Sequence, residues 1–203
     1  MPDHGLRATQ AGRPLERSFY ARDSRDVAVE LLGKLFVRGE RVARIVEVEA
    51  YCGSDDPGSH AYRGLTRRNA TMFGPGGHLY VYFTYGMHHC ANVVCGDEGE
   101  GTAVLLRGLD PESGLEAMRA AYPGARRDGD LCRGPARFCR AFSIDRSLDG
   151  ADLVTGDREV RVLDDGTAPP EHPGVSLRIG LTAGADLPWR FYVPGAPGLS
   201  RRR

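Results

Sequence analysis

Lysine is scarce in this chain: Lys34 lies just ahead of the first strand-like run and none falls near the motifs below, so a Schiff-base mechanism is not expected. No glycine-rich nucleotide loop is present, which leaves no cofactor to expect. No apolar run suits a signal peptide or a membrane span, and the expected location is the cytoplasm, with no membrane partner. The five cysteines follow no regular spacing, which argues against a disulfide scaffold and for reduced thiols. His88, His89, Cys90 and Cys95 fit no common zinc pattern, and adjacent strand residues face opposite ways, so no metal is expected. An excess of one charge is missing too, since 27 Lys and Arg balance 27 Asp and Glu. Any attraction for a polyanion must therefore come from a local basic face. Arginines do gather, at Arg63, Arg67 and Arg68, at Arg126 and Arg127, and at Arg133, Arg137 and Arg140.

The 203 residues are enough for one domain with a real core. The 27 glycines and 13 prolines between short β-rich runs favour a mixed α/β or α+β fold over a helical bundle. Residues 1–17 read as a tail without fixed structure, and residues 18–203 as the domain. Asp23 or Ser24 can cap a helix through Val27 and Leu31 that Gly33 ends, and Leu35 to Val37 follows as a strand. The order Asp110-Pro111-Glu112 predicts a helix start, with the helix running to about Ala121. Another helix is expected from Gly134-Pro135 to Ser143, and strands near Val160, at 177–181 and at 190–193.

Two runs carry the chemistry. In Arg44-Ile45-Val46-Glu47-Val48-Glu49-Ala50-Tyr51, strand alternation places Ile45, Glu47, Glu49 and Tyr51 on one face and Val46, Val48 and Ala50 on the other. A carboxylate on such a strand faces water, a partner or a substrate. From His78 to Val94, aromatic and β-branched residues flank Tyr85-Gly86, which reads as a hairpin with aromatics near its tip. The plain reading of Tyr80, Tyr82 and Phe83 is a strand on a core, and it suits Tyr80 and Phe83 better than Tyr82.

These segments, with Arg68-Asn69, Met72-Phe73, Val104-Leu105-Leu106-Arg107, Cys132-Arg133-Gly134-Pro135 and Arg190-Phe191-Tyr192-Val193, closely resemble the alkyladenine-type 3-methyladenine DNA glycosylase family, in order from about residue 18 to 198. The resemblance implies a single α+β domain around a curved antiparallel sheet, with a protruding β-hairpin that inserts into DNA. It implies a monofunctional enzyme, expected to be a monomer, that acts on double-stranded DNA and hydrolyses the N-glycosidic bond of damaged purines such as 3-methyladenine, 7-methylguanine and hypoxanthine. By resemblance Glu49 is the general base that activates water, with Glu47 its nearest rival, and Arg107 helps hold that water. Tyr51 and Tyr82 flank the flipped base with His60 nearby, and Asn92 crowds out the exocyclic amino group of guanine. Tyr85 is the wedge that fills the gap in the stack, and Met87 assists it. Three departures stand out: Arg67 and Gly76 each replace an expected proline, and Ala91 replaces a larger residue beside Asn92. The competing readings are a non-catalytic binder of damaged DNA and a glycan hydrolase. Two carboxylates on one strand face approach a bond from the same side, which speaks against the second.

Overall fold

A computed structural model describes residues 12–200 of the chain. The elements in order are β1 (Arg13–Pro14), α1 (Arg17–Tyr20), α2 (Ser24–Leu31), β2 (Leu35–Arg38), β3 (Arg41–Cys52), β4 (His78–Thr84), β5 (His88–Cys95), β6 (Thr102–Ser113), α3 (Leu115–Ala121), α4 (Pro135–Ala141), β7 (Ala151–Asp152), β8 (Val160–Asp164), β9 (Gly174–Ser176) and β10 (Arg190–Tyr192). The expected tail falls outside the described residues for 1–11, whereas Arg13 and Pro14 pair with Asp164 and Leu163 of β8.

The strands form one strongly curled antiparallel sheet, ordered β1-β8-β2-β3-β6-β5-β4-β7, with β10 joined to β3 and to β9. This is the α+β class expected. Asp23 accepts from the Arg25 amide and caps α2, whose Val27, Ala28 and Leu31 are buried. Phe138 and Phe142, at α4 and its end, meet Phe36 of β2 edge to face. Along the sheet, residues alternate between this main core and the opposite face. Leu79, Val81, Ala91, Val93, Val104 and Leu106 enter the core. Tyr80 and Val94 join a smaller cluster on the other side, with Ala61 and Met72 of the long loop after β3.

The simple alternation expected for β3 fails at one point. Ile45 pairs with Leu109, Glu47 with Gly108 and Val48 with Leu106, leaving Val46 on β3 and Arg107 on β6 without partners. These two bulges shift the facing of the strand, so Ile45 packs in the same core as Val48 and Ala50, not beside the carboxylates. Between them Gly108 admits the C-terminal segment, because a Cβ there would lie 2.5 Å from the Gly198 carbonyl oxygen. Asp110-Pro111-Glu112 is strand, not helix: the 12-residue β3 offers a ladder through Ala43 and Arg44, and β5 pairs only with residues 102–105, so the proline faces an unpaired edge. Residues 177–181, expected as a strand, follow the short β9 as irregular chain.

β4 and β5 pair from Leu79↔Val93 to Thr84↔His88 and close through Tyr85 and Gly86. Both turn residues have positive φ, 51° and 67°, the backbone of a tight hairpin turn whose twist matches its strands.

Candidate active site

Glu47 and Glu49 are both fully buried rather than facing water, and one guanidinium joins them. Arg107 Nε donates to Glu47 Oε1 at 3.0 Å, and its Nη1 lies 3.2 Å from Glu49 Oε2. The bulge at Arg107 aims this side chain off the β6 ladder onto the carboxylate face. Glu47 also accepts from Arg190 Nε at 2.7 Å and from the hydroxyl and amide of Ser200 at 2.6 and 2.5 Å. Three of its four donors converge on Oε1, and the fourth, the Ser200 amide, reaches Oε2. Burial pushes the Glu47 carboxyl up, but Arg107, Ser200 and Arg190 outweigh it and hold the group below the usual carboxylate range. Glu49 differs. It accepts from the Ile179 amide at 2.7 Å and the Tyr51 hydroxyl at 3.1 Å, and burial raises its pKa despite Arg107 and these two donors.

An aromatic cluster adjoins this network on the same sheet face. The rings of His60 and Tyr82 meet edge to face at 4.5 Å between centroids, and Tyr80 stacks on Tyr82 at 5.5 Å. His60 Nδ1 lies 3.1 Å from the Tyr80 hydroxyl. Partial desolvation and the nearby Arg68 cation lower the His60 pKa. Asn92, buried opposite Leu105 of β6, donates from Nδ2 to the Tyr80 carbonyl at 3.2 Å. Tyr85 and Met87 stand clear of the body, 81% and 69% exposed.

The sequence model of the methylpurine-DNA glycosylase (MPG) family matches residues 18–197. The chain belongs to this family. Three relatives, each named "Putative 3-methyladenine DNA glycosylase", match nearly end to end. That of Burkholderia lata is 56% identical over 185 residues, 91% of this chain and 89% of its own. Those of Streptomyces avermitilis and Methanoculleus marisnigri are 48% and 46% identical, over 94% and 93% of this chain and 92% and 99% of theirs. The methylpurine-DNA glycosylase fold thus places the expected Glu49, Arg107, Tyr51, Tyr82, His60 and Asn92 on or over one sheet face, and Tyr85 and Met87 at the hairpin tip.

Several expectations change in detail. Tyr80 is buried as expected, but Phe83 is exposed, with its carbonyl accepting from Arg68 Nη2 at 3.3 Å. Ala91 points into the main core, away from Asn92, and so does not border the pocket. Gly76, which stands where a proline is expected, packs tightly on the Tyr20 backbone, where a Cβ would sit 3.0 Å from the carbonyl carbon and oxygen. Of the arginine groups, Arg126, Arg127, Arg133 and Arg137 converge with Arg107 and Ser200 around a cavity of about 970 Å³. Arg140 instead lies over Tyr122. Sequence reasoning assigned no role to Arg190, which lay inside a recognised motif, or to Ser200, Arg178 and Asp56, for which no local pattern gives a signal. Among the described residues no three His, Cys, Asp or Glu side chains gather as metal ligands, and no helix is long and apolar enough to cross a membrane.

Proposed function

We propose that this glycosylase removes alkylated purines, 3-methyladenine and 7-methylguanine, and the deaminated purine hypoxanthine from double-stranded DNA by hydrolysis with water activated by Glu49. The observation that carries the reading is the difference between the two carboxylates. Glu47 accepts from four donors, three at Oε1 and one at Oε2, and its pKa is lowered, whereas Glu49 accepts from two, the Tyr51 hydroxyl and the Ile179 amide, beside the Arg107 cation, and its pKa is raised, as for a base that must take a proton. Arg107 bridges both and remains protonated, which fits it to hold the attacking water against Glu49.

The extruded nucleotide enters between Tyr51 and Tyr82 with His60 at the mouth. The π faces take a flat ring of any substitution and hold an electron-poor alkylated ring more tightly. Extrusion costs a few kcal/mol, and Tyr85 at the hairpin tip fills the vacated stack with Met87 beside it. Arg126, Arg127, Arg133 and Arg137 line the cavity next to Arg107, where phosphates of the damaged strand can run. Neutral hypoxanthine needs its ring protonated to leave readily, so its release slows at high pH. With water as the nucleophile the product is an abasic site in an uncut strand, and the protein acts as a monomer without a cofactor.

Single-turnover release from a duplex oligonucleotide bearing one hypoxanthine, beside methylated DNA, tests this. Wild type should release both bases with no strand cut before alkali, and Glu49→Gln should bind the lesion and release neither. Rapid turnover by Glu49→Gln moves the base to Glu47, and tight binding without release by wild type makes the protein a damaged-DNA binder.

A further inference from the structure

Arg178 lies in irregular chain, yet it is buried against the strand that carries the carboxylates. Its guanidinium grips Asp56 through two bonds, Nη1 to Oδ2 at 2.5 Å and Nη2 to Oδ1 at 2.7 Å, with both side chains wholly out of solvent. The same fork reaches in two further directions. Nη1 donates to the carbonyl of Ala50, the residue between Glu49 and Tyr51, at 2.9 Å, and Nη2 to that of Gly184 at 3.1 Å. The guanidinium carbon sits 4.7 Å from the centroid of the Tyr51 ring and 5.2 Å from that of Trp189. Trp189 in turn accepts the Ala50 amide on its own carbonyl at 2.9 Å. The next residue, Ile179, directs its amide to Glu49.

We infer that Arg178, clamped by Asp56, is a positioning residue that fixes the plane of the Tyr51 ring and the Ile179 amide together, and so orients Glu49 and the stacking surface as one unit. A planar fork with two bonds to a carboxylate has one orientation, whereas a point charge would leave the ring free to tilt. Asp56 is itself held by the amides of Cys52 and Gly58, which ties the clamp to the end of β3. Burying such a pair is a poor route to stability compared with apolar packing, and here it leaves Arg178 Nε buried with no partner among the described residues. What the arrangement provides is geometry. A reacting group misplaced by about 1 Å loses roughly a hundredfold in rate.

The inference rests on Glu49 being the base, and the experiment separates the two. Arg178→Lys, Asp56→Asn and Trp189→Leu are compared with wild type and Glu49→Gln in single-turnover release of 7-methylguanine across pH, with the folded fraction of each taken from thermal unfolding. Arg178→Lys and Asp56→Asn should release base at least about tenfold more slowly per folded molecule. For Arg178→Lys, which keeps the charge, the acid limb should move to higher pH, since a displaced Ile179 amide no longer favours the Glu49 carboxylate while Arg107, Tyr51, Glu47, Cys90 and the cation at 178 still face it; in Asp56→Asn the uncompensated Arg178 opposes that shift, and the rate alone is read. Trp189→Leu keeps the ion pair and should shift rate and limb the same way by less. Rates that fall only with the folded fraction, on an unmoved acid limb, overturn the inference. Should the charge variants not fold, an unchanged Trp189→Leu overturns it as well. Activity retained by Glu49→Gln defeats the assignment of Glu49 instead.

Discussion

The Tyr51 hydroxyl donates at 3.1 Å to Oε2 of Glu49, the same oxygen that Arg107 Nη1 approaches at 3.2 Å. The ring that would stack on the base and the carboxylate that would activate water are thereby tied together. Tyr51→Phe keeps the ring and removes the tie. It should slow base release about tenfold, equivalent to about 1.4 kcal/mol, with lesion affinity nearly unchanged. The pH profile reports the cause. As the base proposed above, Glu49 must be ionised to act, so activity should fall as pH drops through its raised pKa; losing a donor that favours the ionised form should move that limb to higher pH. An unmoved limb would show the bond to be without influence on the base.

Glu47 is a structural anion in this reading. Glu47→Gln leaves Arg107 and Arg190 buried without a full counter-charge and should cost about 3–5 kcal/mol, seen as a lower urea midpoint. Its folded pKa is depressed, so its stabilisation is present above the unfolded value of about 4.3 and is lost as pH falls through the folded value below that. Wild type should lose this stability between about pH 4 and lower pH, and the Gln variant should lack that component.

Tyr85 touches little of its own protein, so Tyr85→Ala should leave the melting temperature within about 2 °C while weakening binding to lesion duplex. Gly86→Ala, at φ 67°, should cost about 1 kcal/mol and disorder the tip. A Tyr85→Ala protein with wild-type affinity for lesion duplex would remove the wedge.

Arg126 and Arg137 line the cavity beside Arg107 and have no ion-pair partner among the described residues. Changing either to Ala should weaken DNA binding and reduce the slope of log affinity against log salt by about 0.9 for each phosphate no longer neutralised. Affinity measured at several salt concentrations decides; parallel lines for wild type and variant would place the phosphates elsewhere.

Asn92 is buried beside the aromatic cluster with its amide tied to the Tyr80 carbonyl. Asn92→Ser frees space and should extend release to undamaged guanine, measured as guanine freed from unmodified DNA over hours. No guanine above the wild-type background would show that exclusion lies in another residue.

The local sequence determined much of this protein. Alternation along β4 and β5, with a glycine at the turn, specifies a hairpin because strand facing repeats every two residues and a left-handed turn favours glycine. The same patterning placed Glu49 and Tyr51 on one strand face, and the family resemblance singled out Tyr82 and Asn92. The tertiary structure alone set the two carboxylates apart, Glu47 with four donors and a lowered pKa and Glu49 with two and a raised one. Bulges at Val46 and Arg107 change the facing of β3 and β6, and they arise from the pairing of two strands and not from either one's composition. The partners that distinguish Glu47 from Glu49 are Arg190 and Ser200, 143 and 153 residues away from Glu47. Asp56 meets Arg178 across 122 residues. Pairings of that span leave no periodic trace in the chain, since they depend on how the sheet curls and where its C-terminal segment crosses it.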